Sequence, residues 1–222
     1  MSKLRLFACG VAMSALCSAP VSAQQLEDGL RLRPMLGLGY SWGGDTIMPV
    51  TIIPQGTSIQ YQETIKAGTG IDLRAGVELG SPRSPFAVQL AVAYHNDGAG
   101  GLDNKHIDFR RVPLELIGYW RVSPQLRLGV GARKSTNASL RFSKNYCNQL
   151  KLAFSDPELQ CSYGLKSSLG AIVEAEYELT PTWGLRARYA TESFKFKEQE
   201  EFETTKTIHG DHFGIMSVWY LR

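Results

Sequence analysis

Eight short runs of this sequence alternate apolar and polar residues, and their aromatic residues gather at the ends of the runs. In the second run, Ile71, Leu73 and Val77 fall on one face, while Arg74 and Glu78 fall on the other. Successive side chains of a β-strand point to opposite faces, so each run is expected to be a strand with one apolar and one polar face. The runs cover residues 31–42, 71–79, 86–95, 111–120, 126–133, 169–179, 183–189 and 213–221.

The segments between the runs alternate in length. Residues 80–85, 121–125 and 180–182 are short and each contains proline, whereas 43–69, 96–106, 134–168 and 190–211 are long. Short turns at one end and long loops at the other are typical of barrels that cross an outer membrane. We therefore predict an all-β fold: an eight-stranded antiparallel up-and-down transmembrane β-barrel with short periplasmic turns and long extracellular loops. Strand-like pieces at 47–53, 58–65 and 194–196 predict hairpins that project beyond the membrane.

Two of the runs are less regular than the others. Ile107 and Phe109 are out of phase with the apolar face of the fourth run, which predicts a bulge near Arg110 and Arg111. The eighth run is largely apolar on both faces. We assign its outer face to Phe213, Ile215, Trp219 and Leu221.

The aromatic residues indicate which face meets lipid. All four tryptophans lie on the apolar face at the ends of runs. Indole and phenol rings favour the headgroup layer, so a membrane barrel is expected to carry two aromatic belts. A soluble barrel of the lipocalin kind, with its apolar face inside, has no reason to sort these residues into belts. The predicted girdle consists of Tyr40, Trp42, Tyr94, Trp120, Tyr177, Trp183, Tyr189 and Trp219.

The opposite face combines charged residues with glycine and alanine. The interior of an eight-stranded barrel is just wide enough for side chains, so small residues must alternate there with long ones. Pairing around the hairpin at 180–182 places Glu176 opposite Arg186 and Glu174 opposite Arg188. Charges in a narrow lumen need partners because an unpaired buried charge is costly. We therefore predict a lumen ion network of Arg33, Asp72, Arg74, Glu78, Glu115, Arg127, Glu174, Glu176, Arg186 and Arg188.

The start of the chain has the three parts of a secretory signal peptide. Lys3 and Arg5 precede an apolar stretch, and small residues occupy positions 21 and 23. This pattern predicts a signal peptide at 1–23, followed by the barrel domain at 24–222.

Two of the four cysteines, Cys147 and Cys161, follow the predicted signal peptide. Two cysteines in an exported chain are expected to pair, so we predict a disulfide bond that staples the third long loop. The segment after the signal carries a net charge of +1. Such a balance gives no indication of nucleic-acid binding.

Several stretches, among them RVPLEL at 111–116 and LRLGVG at 126–131, are similar to those of a known family. Together with the strand count and the loop asymmetry, they make the chain resemble small eight-stranded outer-membrane barrels, the OmpA-transmembrane-domain and OmpX/Ail-like group, over residues 30–222. The resemblance implies a place in the bacterial outer membrane, among its lipid and lipopolysaccharide. It also implies insertion by the barrel-assembly machinery and a surface ligand that the sequence does not identify.

The residues that could carry chemistry form no catalytic pattern. Lipid A deacylase barrels place a serine beside a histidine, whereas His95 stands in the serine-free sequence YHND at 94–97. We interpret His95 as a polar plug residue at the mouth of the lumen. The spacing of the other histidines matches no metal-binding signature. We therefore predict no catalytic, cofactor-binding or metal-binding residues.

The favoured function is a non-enzymatic surface protein with a plugged lumen and with loops for structural or recognition roles. The pairable lumen charges and the stapled third loop favour this interpretation. The alternatives are a narrow or gated channel, in which displaced ion pairs open a path, and a lipid-modifying outer-membrane enzyme.

Overall fold

The computed structural model describes residues 29–52, 61–99, 107–197 and 207–221. The predicted signal peptide at 1–23 lies outside these residues. The strands are β1 (Arg31–Gly43), β2 (Thr46–Ile52), β3 (Tyr61–Lys66), β4 (Gly70–Gly80), β5 (Phe86–Ala99), β6 (Ile107–Arg121), β7 (Leu126–Phe142), β8 (Ser162–Ser167), β9 (Gly170–Thr180), β10 (Trp183–Ala190), β11 (Ser193–Phe196), β12 (Ile208–His209) and β13 (His212–Tyr220). One helix, α1 (Lys144–Phe154), lies between β7 and β8.

Eight of these strands close into a barrel. They pair in the order β1, β4, β5, β6, β7, β9, β10 and β13, and β13 pairs again with β1, all antiparallel. The predicted eight-stranded antiparallel barrel is therefore confirmed. When directly opposite residues are followed from strand to strand around the barrel, the path that starts at Trp42 of β1 returns to β1 at Leu32. The barrel therefore closes with a stagger of ten residues along β1. A stagger of this kind accompanies strands tilted by about 35–45° from the barrel axis.

The apolar faces of the barrel strands point outward. Leu90 and Val130 are 58% and 65% exposed, and the four residues assigned to the outer face of the last strand are exposed as well. All eight predicted girdle residues also lie on the outside. They form a loop-end belt of Tyr40, Trp42, Tyr94 and Tyr189, near the long loops, and a turn-end belt of Trp120, Tyr177, Trp183 and Trp219, near the short turns.

At the loop end, strands continue beyond the belt as a projecting sheet. β5, β6 and β7 extend past their barrel neighbours, and β8, β11 and β12 continue this sheet along its edge. The hairpin of β2 and β3 forms a separate two-stranded sheet. Buried apolar side chains from these elements form an apolar cap, made of Ile65, Ala67, Ile107, Phe109, Ala138, Leu140, Leu165, Phe194 and Ile208.

The fourth barrel strand differs from the prediction in the position of its irregularity. The register between β6 and β7 shifts between Arg110 and Val112, but the extra residue belongs to β7, where Asn137 has φ 52°. β6 itself keeps its phase, so Ile107 and Phe109 point inward like Arg111. Their apolar character reflects the cap, which covers the charged interior at this level.

The third long loop contains α1, which the sequence pattern did not predict. The side chain of Ser143 accepts a hydrogen bond from the Tyr146 N–H at the start of the helix, and Ser155 ends it in the left-handed conformation. The predicted disulfide between Cys147 and Cys161 is confirmed and ties this helix to the start of β8. Across the described ranges, no helix is long and apolar enough to span a membrane.

Candidate functional site

The interior of the barrel is lined by charged side chains of both signs. Six arginines and six carboxylate residues of the described interior are each at most 3% exposed. Nine of the ten residues predicted for the lumen ion network are among them, and the tenth, Arg33, lies at the turn end with a side chain 27% exposed. The buried charged residues are Arg74, Arg111, Arg127, Arg133, Arg186, Arg188, Asp72, Glu78, Glu115, Glu174, Glu176 and Glu192.

The layer nearest the turn end is centred on Arg127. Its guanidinium lies 2.6 Å from a carboxylate oxygen of Glu78 and 3.0 Å from one of Glu176. Arg33 approaches Glu78 to 3.3 Å from the outside, and the hydroxyl of Tyr220 donates to Glu176 at 2.9 Å. Each carboxylate in this layer therefore has more than one donor.

The middle layer contains the pairs that were predicted from the register of the hairpin formed by β9 and β10. The Arg186 guanidinium lies 2.6 Å from Glu176 and 3.2 Å from Glu174. Arg188 stands opposite Glu174 in the ladder, yet its shortest ion pair is with Glu115, at 3.0 Å. A charge in this interior thus contacts residues of distant strands as well as its ladder neighbour.

The layer nearest the loop end is centred on Arg74 and Arg133. Arg74 lies 3.4 Å from Asp72 and 3.1 Å from Glu115. Arg133 lies 3.3 Å from Glu192. The three layers together give every one of the six buried carboxylates an arginine within 4.0 Å. Such pairing offsets the desolvation cost that buried charges carry.

Glycines on the inner face make room for these long side chains. A Cβ at Gly131 would lie 2.2 Å from the Leu116 carbonyl oxygen and 2.8 Å from the Ile117 Cα. The wall is therefore too close at this position for any larger residue. Two other glycines lie against arginine stems, because a Cβ at Gly170 would lie 3.3 Å from the Arg133 Cγ and a Cβ at Gly214 would lie 3.4 Å from the Arg188 Cγ. Small residues at these positions leave room for the arginines.

Three charged members were missing from the predicted network: Arg111, Arg133 and Glu192. The alternation already placed the two arginines on the inner face, so their phase was the available signal. Glu192 lies in the interruption between β10 and β11, where no alternation could assign it a face. The Glu192 carboxylate lies 3.3 Å from Arg133 and 3.6 Å from Arg111, so it joins both arginines.

Polar and aromatic residues complete the interior. The hydroxyl of Tyr119 donates to Glu174 at 2.6 Å, and the Gln89 side-chain oxygen accepts from Arg186 at 3.1 Å. His95, predicted at the mouth of the lumen, is fully buried, with its Nε2 3.0 Å from the Thr69 carbonyl oxygen. In the described part of the chain, no three histidine, cysteine or acidic side chains are grouped as they would be around a metal ion.

The two ends of the interior differ in access. A cavity of about 1050 Å³ opens at the turn end, and Glu78, Arg127, Tyr119 and Tyr220 are among the residues that line it. At the loop end, the apolar cap packs over the charged layers, and the ring of Phe194 lies 5.3 Å from the Arg111 guanidinium. Within the described residues, the interior therefore opens at the turn end and is covered by the apolar cap at the loop end.

One family model matches most of the chain, and several solved structures are similar to it. The family model described as outer membrane protein beta-barrel domain matches residues 9–220. Among solved structures, the chain is similar to Ail, the attachment invasion locus protein of Yersinia pestis, at 13% identity and TM-score 0.46, covering 86% of this chain and 97% of that chain. It is also similar to Neisserial surface protein A, at 10% identity and TM-score 0.46, covering 86% and 96% of the two chains.

A third similar structure is OprG from Pseudomonas aeruginosa, at 13% identity and TM-score 0.39, covering 86% of this chain and 96% of that one. No curated protein sequence matches the chain significantly. The family match spans the whole barrel, from before β1 to the last residue of β13. The chain therefore belongs to the outer membrane β-barrel family, and its location is the bacterial outer membrane.

Proposed function

We propose that this protein is a non-enzymatic outer-membrane scaffold whose lumen is closed to ions and whose extracellular loops carry its interactions. The observation that carries the proposal is the pairing of six buried carboxylates with six buried arginines across three successive layers. An ion that crossed the barrel would have to separate several of these pairs. Removing one partner of a buried pair costs about 3–5 kcal/mol, so spontaneous opening is disfavoured.

The loop end supports the same proposal. The apolar cap lies between the charged layers and the extracellular medium, and Phe109 and Phe194 within it are fully buried with their rings 5.3 Å apart. Hydrated ions are excluded from an apolar layer because it offers no groups to replace their hydration shell. The cap therefore adds a second barrier in series with the ion pairs.

Recognition is assigned to the parts of the chain outside the membrane. The projecting sheet and the disulfide-tied helix α1 present regular secondary structure there, and sites built on strands and helices are positioned more precisely than sites on loops. Lipopolysaccharide, outer-membrane lipid and the barrel-assembly machinery are the partners we propose, with a further surface ligand of unassigned chemistry.

Planar-bilayer recording tests the proposal. The refolded full-length protein is added to a bilayer at high salt, with a general porin as positive control for insertion and detection. We expect no stable current steps from this protein after its insertion has been verified by heat-modifiable gel mobility. Regular steps of porin size would refute the closed lumen.

A narrow or gated channel is the second candidate function. The turn-end cavity favours it, because that cavity already reaches Arg127 and Glu78 of the first charged layer. If displaced ion pairs open a path, neutralising Glu176 or Arg186 raises the conductance above that of the wild type. The scaffold proposal expects the Glu176→Gln variant to remain silent under the same voltages.

A further inference from the structure

The cavity at the turn end is lined by more positive than negative charge. In the described part of the chain, its charged lining residues are the arginines Arg31, Arg33, Arg121 and Arg127 and the glutamates Glu78 and Glu178. The short turns of outer-membrane barrels face the periplasm, so the cavity is approached by periplasmic solutes. Four arginines against two glutamates favour an anionic solute, because the low-dielectric walls of a cleft strengthen the attraction.

Three of these arginines converge on one carboxylate. The Nη1 and Nη2 groups of Arg121 donate to the two oxygens of Glu178, each at 3.2 Å. The Nη1 of Arg33 lies 3.8 Å from Glu178 Oε1, and the Nε of Arg127 lies 4.0 Å from the same oxygen. The last two distances are longer than a hydrogen bond. Glu178 therefore attracts three guanidinium groups but accepts hydrogen bonds from only one of them. We call Arg33, Arg121 and Arg127 the arginine cluster.

The most buried member of the arginine cluster has a donor left over. The two Nη groups of Arg127 face the carboxylates of Glu78 and Glu176, at 2.6 and 3.0 Å. Its Nε has no hydrogen-bond partner among the described residues, although the side chain is only 3% exposed. Buried donors are normally satisfied, so this N–H indicates an acceptor that the barrel wall does not supply.

The number of acceptor oxygens decides which anion fits the arginine cluster. A carboxylate has two oxygens, and Arg121 engages both oxygens of Glu178. A phosphate monoester has three terminal oxygens and a charge of about −1.5 to −2 at pH 7. It can therefore offer a separate oxygen to each of the three guanidinium groups, in charge-assisted hydrogen bonds of about 2.7–2.9 Å. Its charge also matches the excess of arginines over glutamates in the lining.

The cavity has room for more than a phosphate group. Its volume of about 1050 Å³ is comparable to that of the larger pockets that hold small organic ligands. The rings of Tyr119 and Tyr220 line it, and the three short turns border it through Pro82, Pro124 and Pro181 among others. Proline fixes the backbone angle φ, which limits movement of these turns. The site can therefore hold a phosphorylated organic molecule as well as free phosphate.

We propose that the turn-end cavity binds the phosphate group of a small periplasmic solute, held by Arg33, Arg121 and Arg127 in place of the Glu178 carboxylate. Glu178 acts as an internal competitor, because the ligand must displace its carboxylate from Arg121. The side chain of Arg121 is 41% exposed and that of Glu178 is 13% exposed, and ion pairs near the surface contribute little to stability. The proposal goes beyond the proposed function and does not depend on whether the lumen conducts.

Isothermal titration calorimetry on the refolded full-length protein tests the proposal. The protein, in non-ionic detergent and phosphate-free buffer, is titrated with phenyl phosphate, with inorganic phosphate and with benzoate, which carries a carboxylate on the same ring. The variants Arg33→Gln, Arg121→Gln and Glu178→Gln are compared with wild type. Heat-modifiable gel mobility verifies that every variant is folded before its binding is measured.

Two matched controls change the charge of the protein without touching the cavity. Arg83→Gln removes an exposed arginine from the turn between β4 and β5, whose side chain is not part of the described lining. Glu158→Gln removes an exposed carboxylate from the third long loop. These controls separate a site-specific effect from the effect of net charge on anion binding.

We expect the wild type to bind phenyl phosphate about tenfold more tightly than benzoate. Arg33→Gln and Arg121→Gln should each weaken phenyl phosphate binding by about tenfold, the effect of losing one hydrogen bond to a charged group. Glu178→Gln should strengthen phenyl phosphate binding, because the competing carboxylate is gone. Each control should change the affinity by less than about twofold, because its charge is separated from the cavity by solvent.

The gain expected in Glu178→Gln distinguishes a ligand site from a purely structural ion network, since loss of a structural glutamate does not improve binding. Unchanged or weaker phosphate binding in Glu178→Gln would overturn the proposal. Equal effects of Arg83→Gln and Arg121→Gln, or benzoate binding as tight as that of phenyl phosphate, would overturn it as well.

The comparison of the two phosphates identifies the source of the phosphate group. Inorganic phosphate that binds at least as tightly as phenyl phosphate would support the site and assign it to free phosphate. Tighter binding of phenyl phosphate would support the site and assign it to a phosphorylated organic solute. Planar-bilayer silence or conductance leaves these affinities unaffected, so this proposal and the proposed function fail separately.

Discussion

Replacing Arg186 by methionine is predicted to destabilise the barrel severely. Arg186 is fully buried, and its guanidinium contacts Glu176 at 2.6 Å and Glu174 at 3.2 Å. Breaking a buried ion pair on one side costs about 3–5 kcal/mol because the remaining charge keeps its desolvation penalty. Glu176 retains Arg127 at 3.0 Å, so we expect the lower part of this range, a loss of about 3 kcal/mol in the free energy of unfolding.

Equilibrium urea unfolding in lipid vesicles, followed by tryptophan fluorescence, measures this loss. The matched control is Arg121→Met, because Arg121 also pairs with a glutamate, Glu178, at 3.2 Å, but its side chain is 41% exposed. An exposed pair contributes about 0–1 kcal/mol, so the control should stay close to wild type. The double variant Arg186→Met/Glu176→Met should lose less than the sum of its single variants, since it removes both partners.

A loss of stability in Arg186→Met no larger than that in Arg121→Met would contradict this prediction. That result would mean that water solvates Glu176 in the variant and in the wild type. The interior would then be hydrated, and the three charged layers would not exclude ions.

Two further predictions concern the wall and the third loop. Gly70 has φ +136°, and a Cβ there would lie 2.1 Å from a backbone oxygen of the neighbouring strand, so Gly70→Ala should destabilise the barrel by about 1–3 kcal/mol. At Gly118, a Cβ would lie 3.9 Å from the Val130 carbonyl oxygen, an ordinary contact distance, so Gly118→Ala should be neutral or stabilising in the same urea titration. Equal effects of the two substitutions would contradict the close approach at Gly70. A disulfide that closes a loop of this length stabilises the folded segment by about 3 kcal/mol, and replacing Cys147 and Cys161 by serine removes that contribution. Limited trypsin digestion should then cut the third long loop faster, while the barrel keeps its heat-modifiable gel mobility. Unchanged digestion would show that the disulfide does not hold the loop.

The barrel strands were predictable because alternation reports burial directly. Side chains of a strand alternate between its two faces, so assigning one residue to a face assigns every other residue of that strand. Every predicted run is a barrel strand in the structure. The pairing of Glu176 with Arg186 followed from the hairpin alone, since a three-residue turn leaves little freedom in the register.

Contacts across the lumen could not be predicted in this way. Arg74 of β4 lies 3.5 Å from Glu174 of β9, although these strands are not neighbours in the ladder. Which inward side chains meet across the axis depends on the stagger and tilt of the closed barrel, and these follow from all eight registers together. Glu192 was missed for a related reason, because it lies where a strand is interrupted and the period of two no longer applies.

Cysteine accessibility at three neighbouring positions tests the central claim most directly, namely that apolar side chains meet lipid and paired charges close the interior. In protein refolded into vesicles, Gln89→Cys places a thiol on the fully buried inner face, Leu90→Cys on the lipid face and Ser84→Cys on an exposed turn. A charged, water-soluble thiol reagent is predicted to label only position 84, whereas a lipid-soluble maleimide labels position 90 as well. Labelling of position 89 by the charged reagent at the rate of position 84 would contradict the account.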